Sequence, residues 1–166
     1  MDNTYSITVD SPVGGLTIVA SDVAVVQVQL PGPGPGGTLS RIASPGRHPV
    51  LDLAVDELSR YFRGRLKAFT VPVSFGQGTE FQRTVWTALA SIPYGETRTY
   101  SWVAREVGRP TAVRAVGHAC GQNPVAIIVP CHRVIGVDGS LTGYAGGIDC
   151  KQTLLALEHR FRSYRR

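Results

Sequence analysis

No run of apolar residues in this sequence approaches the roughly 18 that a membrane-spanning helix needs. Cysteine is scarce: Cys120, Cys131 and Cys150 are all there is, with no CxxC pair. An odd number of thiols cannot close a disulfide framework. His48, His118, His132 and His159 stand at no metal-ligand spacing, so a structural zinc site finds no ligand set. No metal and no cofactor are expected. The opening stretch MDNTYSITVD carries acids and alternates, which is not a signal-peptide pattern. A cytoplasmic protein with free thiols is the expectation.

Residues 1–78 also lack net charge, with six basic side chains against six acidic ones. Residues 79–166 hold eleven basic and six acidic, and so carry the whole +5 of the chain. A basic half beside a neutral half points to a polyanionic partner for the second half, although a few extra positive charges are common in soluble domains.

What is present suffices for a packed protein. The 43% hydrophobic fraction excludes disorder, and 166 residues make one compact unit or two small domains sharing an interface. TYSITVD, GGLTIVAS and VAVVQVQL are short, β-branched and alternating, with turn signals between them, and predict an antiparallel meander. PGPGPGG, residues 31–37, can hold neither ladder nor helix and opens a loop running to about residue 47. In PVLDLAVDELSRYFRGRL, Leu51, Val55, Leu58, Tyr61 and Phe62 recur at helical spacing, and Gly64 is the stop. KAFTVPVSF reads as a further strand. The first half is thus a small sheet with one covering helix and no catalytic constellation.

From residue 79 the pattern turns helical. TEFQRTVWTAL opens with Thr79 and Gln82 in capping-box spacing, and IPYGE ends that helix. TYSWVAREVG is a short second helix stopped by Gly108. RPTAVRAVGHACGQNP is a third, with Pro110 near its first position and Gly121 near its end. Two short helices joined by a Gly-containing turn form a helix-turn-helix candidate. On the third, Val113, Val116 and Cys120 face inward, and Thr111, Arg114, Ala115 and His118 outward. One long Arg among small residues suits a minor-groove contact better than major-groove readout. A helix that only packs closely on a neighbour would look the same, so both readings stay open.

Cys131 and His132 stand side by side after an apolar run and Pro130. A cysteine nucleophile needs a base, and successive side chains of an extended segment point to opposite faces. Proton transfer from Cys131 to His132 therefore needs a bridging water or a local bend. From these residues alone, a buried structural cysteine is the favoured reading over a reactive one.

RAVGHACGQNPVAIIVPCHRVIG resembles the active-site segment of the O6-alkylguanine-DNA alkyltransferases (methylated-DNA–protein-cysteine methyltransferases) of bacterial stand-alone type, whose hallmark is PCHRV. FQRTVWTALASIPYGETRTYSWVA and GSLTGYAGGIDCKQTLLALE extend the resemblance over residues 79–158. It implies a DNA repair protein that flips O6-alkylguanine out of the duplex, with O4-alkylthymine as a second substrate, and transfers the alkyl group once and irreversibly to Cys131. His132 would activate Cys131 through a water, Glu158 would orient His132, and Tyr100 would serve the departing guanine at N3. Asn123 would be the hinge after the recognition helix. Arg114 would fill the gap left by the flipped nucleotide. Thr111, Ala115, Gln122, Thr99 and Ser101 become DNA-contact candidates. Tyr144, Ala145, Cys120 and Val134 become pocket candidates. Arg133 is taken as a structural ion-pair partner.

The fold class expected is α+β: a ribonuclease-H-like sheet and helix over 1–78, and a mostly helical, winged-helix-like domain over 79–166. The partner implied is double-stranded DNA through its minor groove, bound by a monomer, with cooperativity left open. The alternative is a non-catalytic helix-turn-helix protein that recognises alkylated bases.

Overall fold

A computed structural model describes residues 3–31, 41–42, 47–141, 143–144 and 146–163. Among these, β1 (Tyr5–Val9), β2 (Leu16–Ala20) and β3 (Val25–Gln29) form the expected antiparallel meander. Leu16, Ile18 and Ala20 alternate into the core, as period 2 demands. Most of PGPGPGG lies outside the described residues. The predicted loop is not wholly without strand, because β4 (Arg41–Ile42) pairs parallel with β1 and completes a sheet of order β3-β2-β1-β4.

Helix α1 (Pro49–Phe62) covers this sheet. His48 caps it, its Nδ1 accepting from Leu51 N at 3.2 Å, and Gly64 follows its end at φ +73°. KAFTVPVSF is not a strand. The N–H groups of Thr70 and Val71 donate to the buried carboxylate of Glu57 rather than to a ladder, and Pro72 has no N–H to give. One bridge remains, Val25 to Val73.

The second half is built from α2 (Glu80–Leu89), β5 (Arg98–Thr99), α3 (Tyr100–Glu106), α4 (Val113–Gly121), a 3-10 turn (Cys131–Arg133), β6 (Val134–Ile135) and α5 (Ile148–Phe161). Thr79 and Gln82 make both bonds of the capping box. Trp86 is buried and its Nε1 donates to Ala119 O at 2.8 Å, locking α2 to α4. Gly108, at φ +74°, ends α3.

The third helix begins later than predicted. Pro110 occupies the second position of a turn closed by Ala112 N to Arg109 O at 2.9 Å, and helical bonding starts at Val113. Val116 and Cys120 point inward and Val113 is half-buried. Arg114, Ala115 and His118 are exposed.

One continuous apolar core joins both halves. β3 also meets the segment leading to Cys131 directly, with Val28 N donating to Pro124 O at 2.9 Å. No helix among the described residues is long and apolar enough to cross a membrane.

Candidate active site

Cys131, His132 and Arg133 form a single 3-10 turn, not the extended segment assumed from sequence, and all three are buried. The chain arrives there through a strained loop. Ile127 has φ +72°, an unfavourable conformation for a β-branched residue. Asn123 holds this loop from both sides: its Nδ2 donates to Val129 O at 2.8 Å and its Oδ1 accepts from Val125 N at 3.0 Å. Asn123, the expected hinge, thus braces the junction between α4 and the Cys131 turn.

Glu158, on α5, is the electrostatic centre. His132 Nε2 lies 2.6 Å from Glu158 Oε2, with both side chains essentially inaccessible. Arg133 grips the same carboxylate in a fork, Nε to Oε1 at 2.8 Å and Nη2 to Oε2 at 3.1 Å, and sends Nη1 to Ile92 O at 2.6 Å. Gly95 N adds a bond to Oε1 at 3.2 Å, and the Tyr61 hydroxyl donates to Oε2 at 2.6 Å.

Burial alone would raise the Glu158 carboxyl, but the His132 bond and the Arg133 charge override it and hold it far below the usual carboxylate range. Burial pushes His132 the other way, below an ordinary histidine, against the pull of Glu158, and the cations of Arg133 and Lys151 lower it further. The imidazole is therefore neutral at neutral pH. With Glu158 ionised, Nε2 carries the hydrogen and Nδ1 is left as a bare acceptor. Among the described residues Nδ1 has no hydrogen-bond partner.

Burial also raises the Cys131 thiol, while a hydrogen bond from Asn123 and the charge of Lys151 oppose the rise. The resting pair is thus a thiol and a neutral imidazole, with little thiolate until a proton acceptor is engaged.

Tyr100 is brought to this point by β5 and β6. Their parallel pairing sets Arg98 against Val134 and Thr99 against Ile135, directly beyond the 3-10 turn. Burial raises the Tyr100 hydroxyl to about 12, and the thiols of Cys120 and Cys131 are near enough to add to the rise. It stays protonated and able to donate. Lys151 was not singled out from sequence. It is almost fully buried, its Nζ donates to Val134 O at 2.6 Å and lies 5.8 Å from the Tyr100 ring centroid. The available signal was its place on one stripe with Leu154 and Glu158, at helical spacing.

The pocket candidates gather here in part. Cys120 and Val134 are buried beside Tyr100 and Cys131. The Tyr144 hydroxyl is buried, with no partner among the described residues, and burial raises its pKa far above that of a free tyrosine. Ala145 lies outside the described residues. The DNA-contact candidates are separate from this cluster: Thr111, Arg114 and Ala115 are exposed along α4 and the turn before it, and Gln122 is exposed just beyond its end. Ser101 is half-buried, and the Thr99 hydroxyl already caps α3 by accepting from Trp102 N at 3.1 Å.

The family described as 6-O-methylguanine DNA methyltransferase, DNA binding domain, matches residues 80–160. A methylated-DNA–protein-cysteine methyltransferase of Mycolicibacterium paratuberculosis is 49% identical over 159 residues, covering 92% of this chain and 91% of its own. An inducible one from Bacillus subtilis is 57% identical over 107 residues, 64% of this chain and 59% of its own. The structure of Mycobacterium tuberculosis OGT in complex with DNA superposes with a TM-score of 0.86 at 46% identity, covering 95% of this chain and 94% of that one. Identity of this extent over nearly the whole of both chains makes the protein a member of the methylated-DNA–protein-cysteine methyltransferase family.

Proposed function

We propose that this chain repairs O6-alkylguanine in duplex DNA, with O4-alkylthymine as a second substrate, by moving the alkyl group onto Cys131. The observation that carries the reading is the buried run Cys131, His132, Glu158, in which a neutral imidazole turns one nitrogen to a carboxylate and leaves the other bare. His132 Nδ1 takes the Cys131 proton through a water, the thiolate attacks the alkyl carbon, and the carbon–O6 bond breaks. The electron pair leaves with guanine, and Tyr100 donates a proton or a hydrogen bond at N3. The product is a thioether that water does not cleave, so each molecule acts once. Tyr144, Ala145, Cys120 and Val134 line the base pocket.

Guanine O6 is inside the base stack, so the nucleotide must be extruded at a cost of a few kcal/mol. The exposed Arg114 enters the gap from the minor groove. Thr111, Ala115 and Gln122 approach the backbone, with Thr99 and Ser101 at the edge of the contact. Residues 1–78 form a ribonuclease-H-like unit and 79–166 a winged-helix-like one. The protein works in the cytoplasm as a monomer, and cooperative binding along DNA is consistent with its basic half. A non-catalytic DNA-binding protein would leave the Cys131 network without a purpose.

Intact-mass measurement after incubation with an O6-methylguanine duplex tests the reading. One methyl per chain, mapped to Cys131, is expected. Continued turnover beyond one equivalent would refute it. Arg114→Ala should slow repair of the duplex about 10-fold or more and barely change reaction with free O6-benzylguanine, because only the duplex requires extrusion. Equal losses on both substrates would remove the role given to Arg114.

A further inference from the structure

The first half of the chain, which offers no catalytic constellation in its sequence, reaches into the reacting network through one hydroxyl. Tyr61 lies in the last turn of α1 and is fully buried. Its hydroxyl donates to Glu158 Oε2 at 2.6 Å, the oxygen that also faces His132 Nε2 at 2.6 Å. Its place is fixed from both sides. Lys67 Nζ donates to Arg162 O at 2.8 Å, and Gly64 sits so close to α5 that a Cβ there would fall 2.3 Å from Phe161. The rings of Phe62, Phe69 and Tyr94 pack around Tyr61.

We propose that Tyr61 is a positioning residue for alkyl transfer, holding the Glu158 carboxylate through Oε2 so that His132 keeps its orientation and stays neutral, free to accept a proton. The inference rests on the function proposed above. Its physical basis is competition for one oxygen. Oε2 receives Tyr61, His132 and Arg133 Nη2 together, and each donor reduces the electron density available to the others. Removing the hydroxyl strengthens the carboxylate's hold on His132 and favours the imidazolium. The charged and titratable groups around the network are Arg133 on the 3-10 turn, Lys151 on α5 and Tyr94 in the turn after α2, with Lys67 over the Tyr94 ring. None of them replaces a donor lost from Oε2.

The test is the single-turnover rate of methyl transfer from duplex DNA to the full chain, followed by intact mass from pH 5 to 9. In Tyr61→Phe the acid limb of the profile should move up by about half to one pH unit, lowering the rate on that limb about 3- to 10-fold. Site-specific 3-fluorotyrosine at position 61 keeps the shape and donates more strongly, so its limb should move down. Tyr94→Phe is the control: that hydroxyl has no partner among the described residues, and its profile should overlay the unmodified chain. A purely structural Tyr61 would change the height of the profile and leave the limb in place. An unmoved limb in both Tyr61 variants overturns the inference, whatever their absolute rates. A wild-type chain that takes up no alkyl group overturns the proposed function as well, whereas normal alkylation with an unmoved limb removes only the role of Tyr61.

Discussion

Cys131→Ala should yield a folded chain that still binds alkylated duplex DNA and accepts no alkyl group at all. The cost to the fold is small, because loss of one sulfur leaves a void worth about 1 kcal/mol. The loss of chemistry is complete because no other thiol can stand in. Cys120 and Cys150 are both buried, and burial raises their thiols to about 12 and about 11. Neither is hydrogen-bonded to a histidine or an asparagine among the described residues. Cys131 is also raised by burial, but Asn123 and Lys151 both favour its thiolate, and His132 is its neighbour in the turn. Gel shift and intact mass on the same sample separate binding from transfer. An adduct appearing on Cys120 or Cys150 in Cys131→Ala would sink the assignment of the acceptor.

Loss of the Glu158 carboxylate should be the most destructive change to the fold and nearly as damaging to the reaction. Glu158→Ala strips the acceptor from His132, Arg133, Tyr61 and Gly95 at once and leaves the Arg133 charge buried without its counter-ion. Breaking a buried pair in this way costs about 3–5 kcal/mol. For a chain of this size that corresponds to a fall in Tm of roughly 10 °C or more, readable by calorimetry. Transfer should slow by about 10²- to 10⁴-fold as the base loses its orientation.

Acid should weaken the native protein in two stages, both in the same direction. His132 is held below its ordinary pKa when folded, so the unfolded chain takes up a proton first. Its contribution is whole above about pH 6.5 and declines as pH falls below that. Glu158 is likewise depressed, so its contribution is whole above about pH 4.3 and is lost as pH falls towards the folded value. Urea midpoints between about pH 2 and 8 should show both losses, and Glu158→Gln should abolish the lower stage. A midpoint that rises on acidification would contradict the protonation states assigned here.

Local signals in the sequence were reliable where local physics decides. The capping box at Thr79 and Gln82 and the glycine stops at Gly64 and Gly108 depend on a few neighbouring residues. So do the three alternating strands. KAFTVPVSF failed because the competing acceptor, Glu57, reaches back from the preceding helix, where no strand pattern shows it. The extended reading of PCHRV failed because Asn123 and the strained Ile127 bend the chain before it arrives. The contact between His132 and Glu158 was named through resemblance, since no periodicity links positions 26 apart. Tyr61 and Lys151 were missed for one reason: on an apolar helical stripe, a tyrosine looks like core and a lysine like a surface residue. Only the packing of α1 on α5 and of α5 beneath β6 gives them polar partners.

The outer side of β3 is occupied from both directions. Val25 exchanges bonds with the segment around Val73, and Val28 donates to Pro124. The loop before Cys131 therefore covers the part of this sheet margin that the Val73 segment leaves open. A fragment cut between the two halves would keep the Val73 segment on Val25 but uncover the margin of VVQVQ around Val28, a template for pairing with other chains. The bond from Val28 to Pro124 thus ties the cover of this margin to the loop that leads to Cys131.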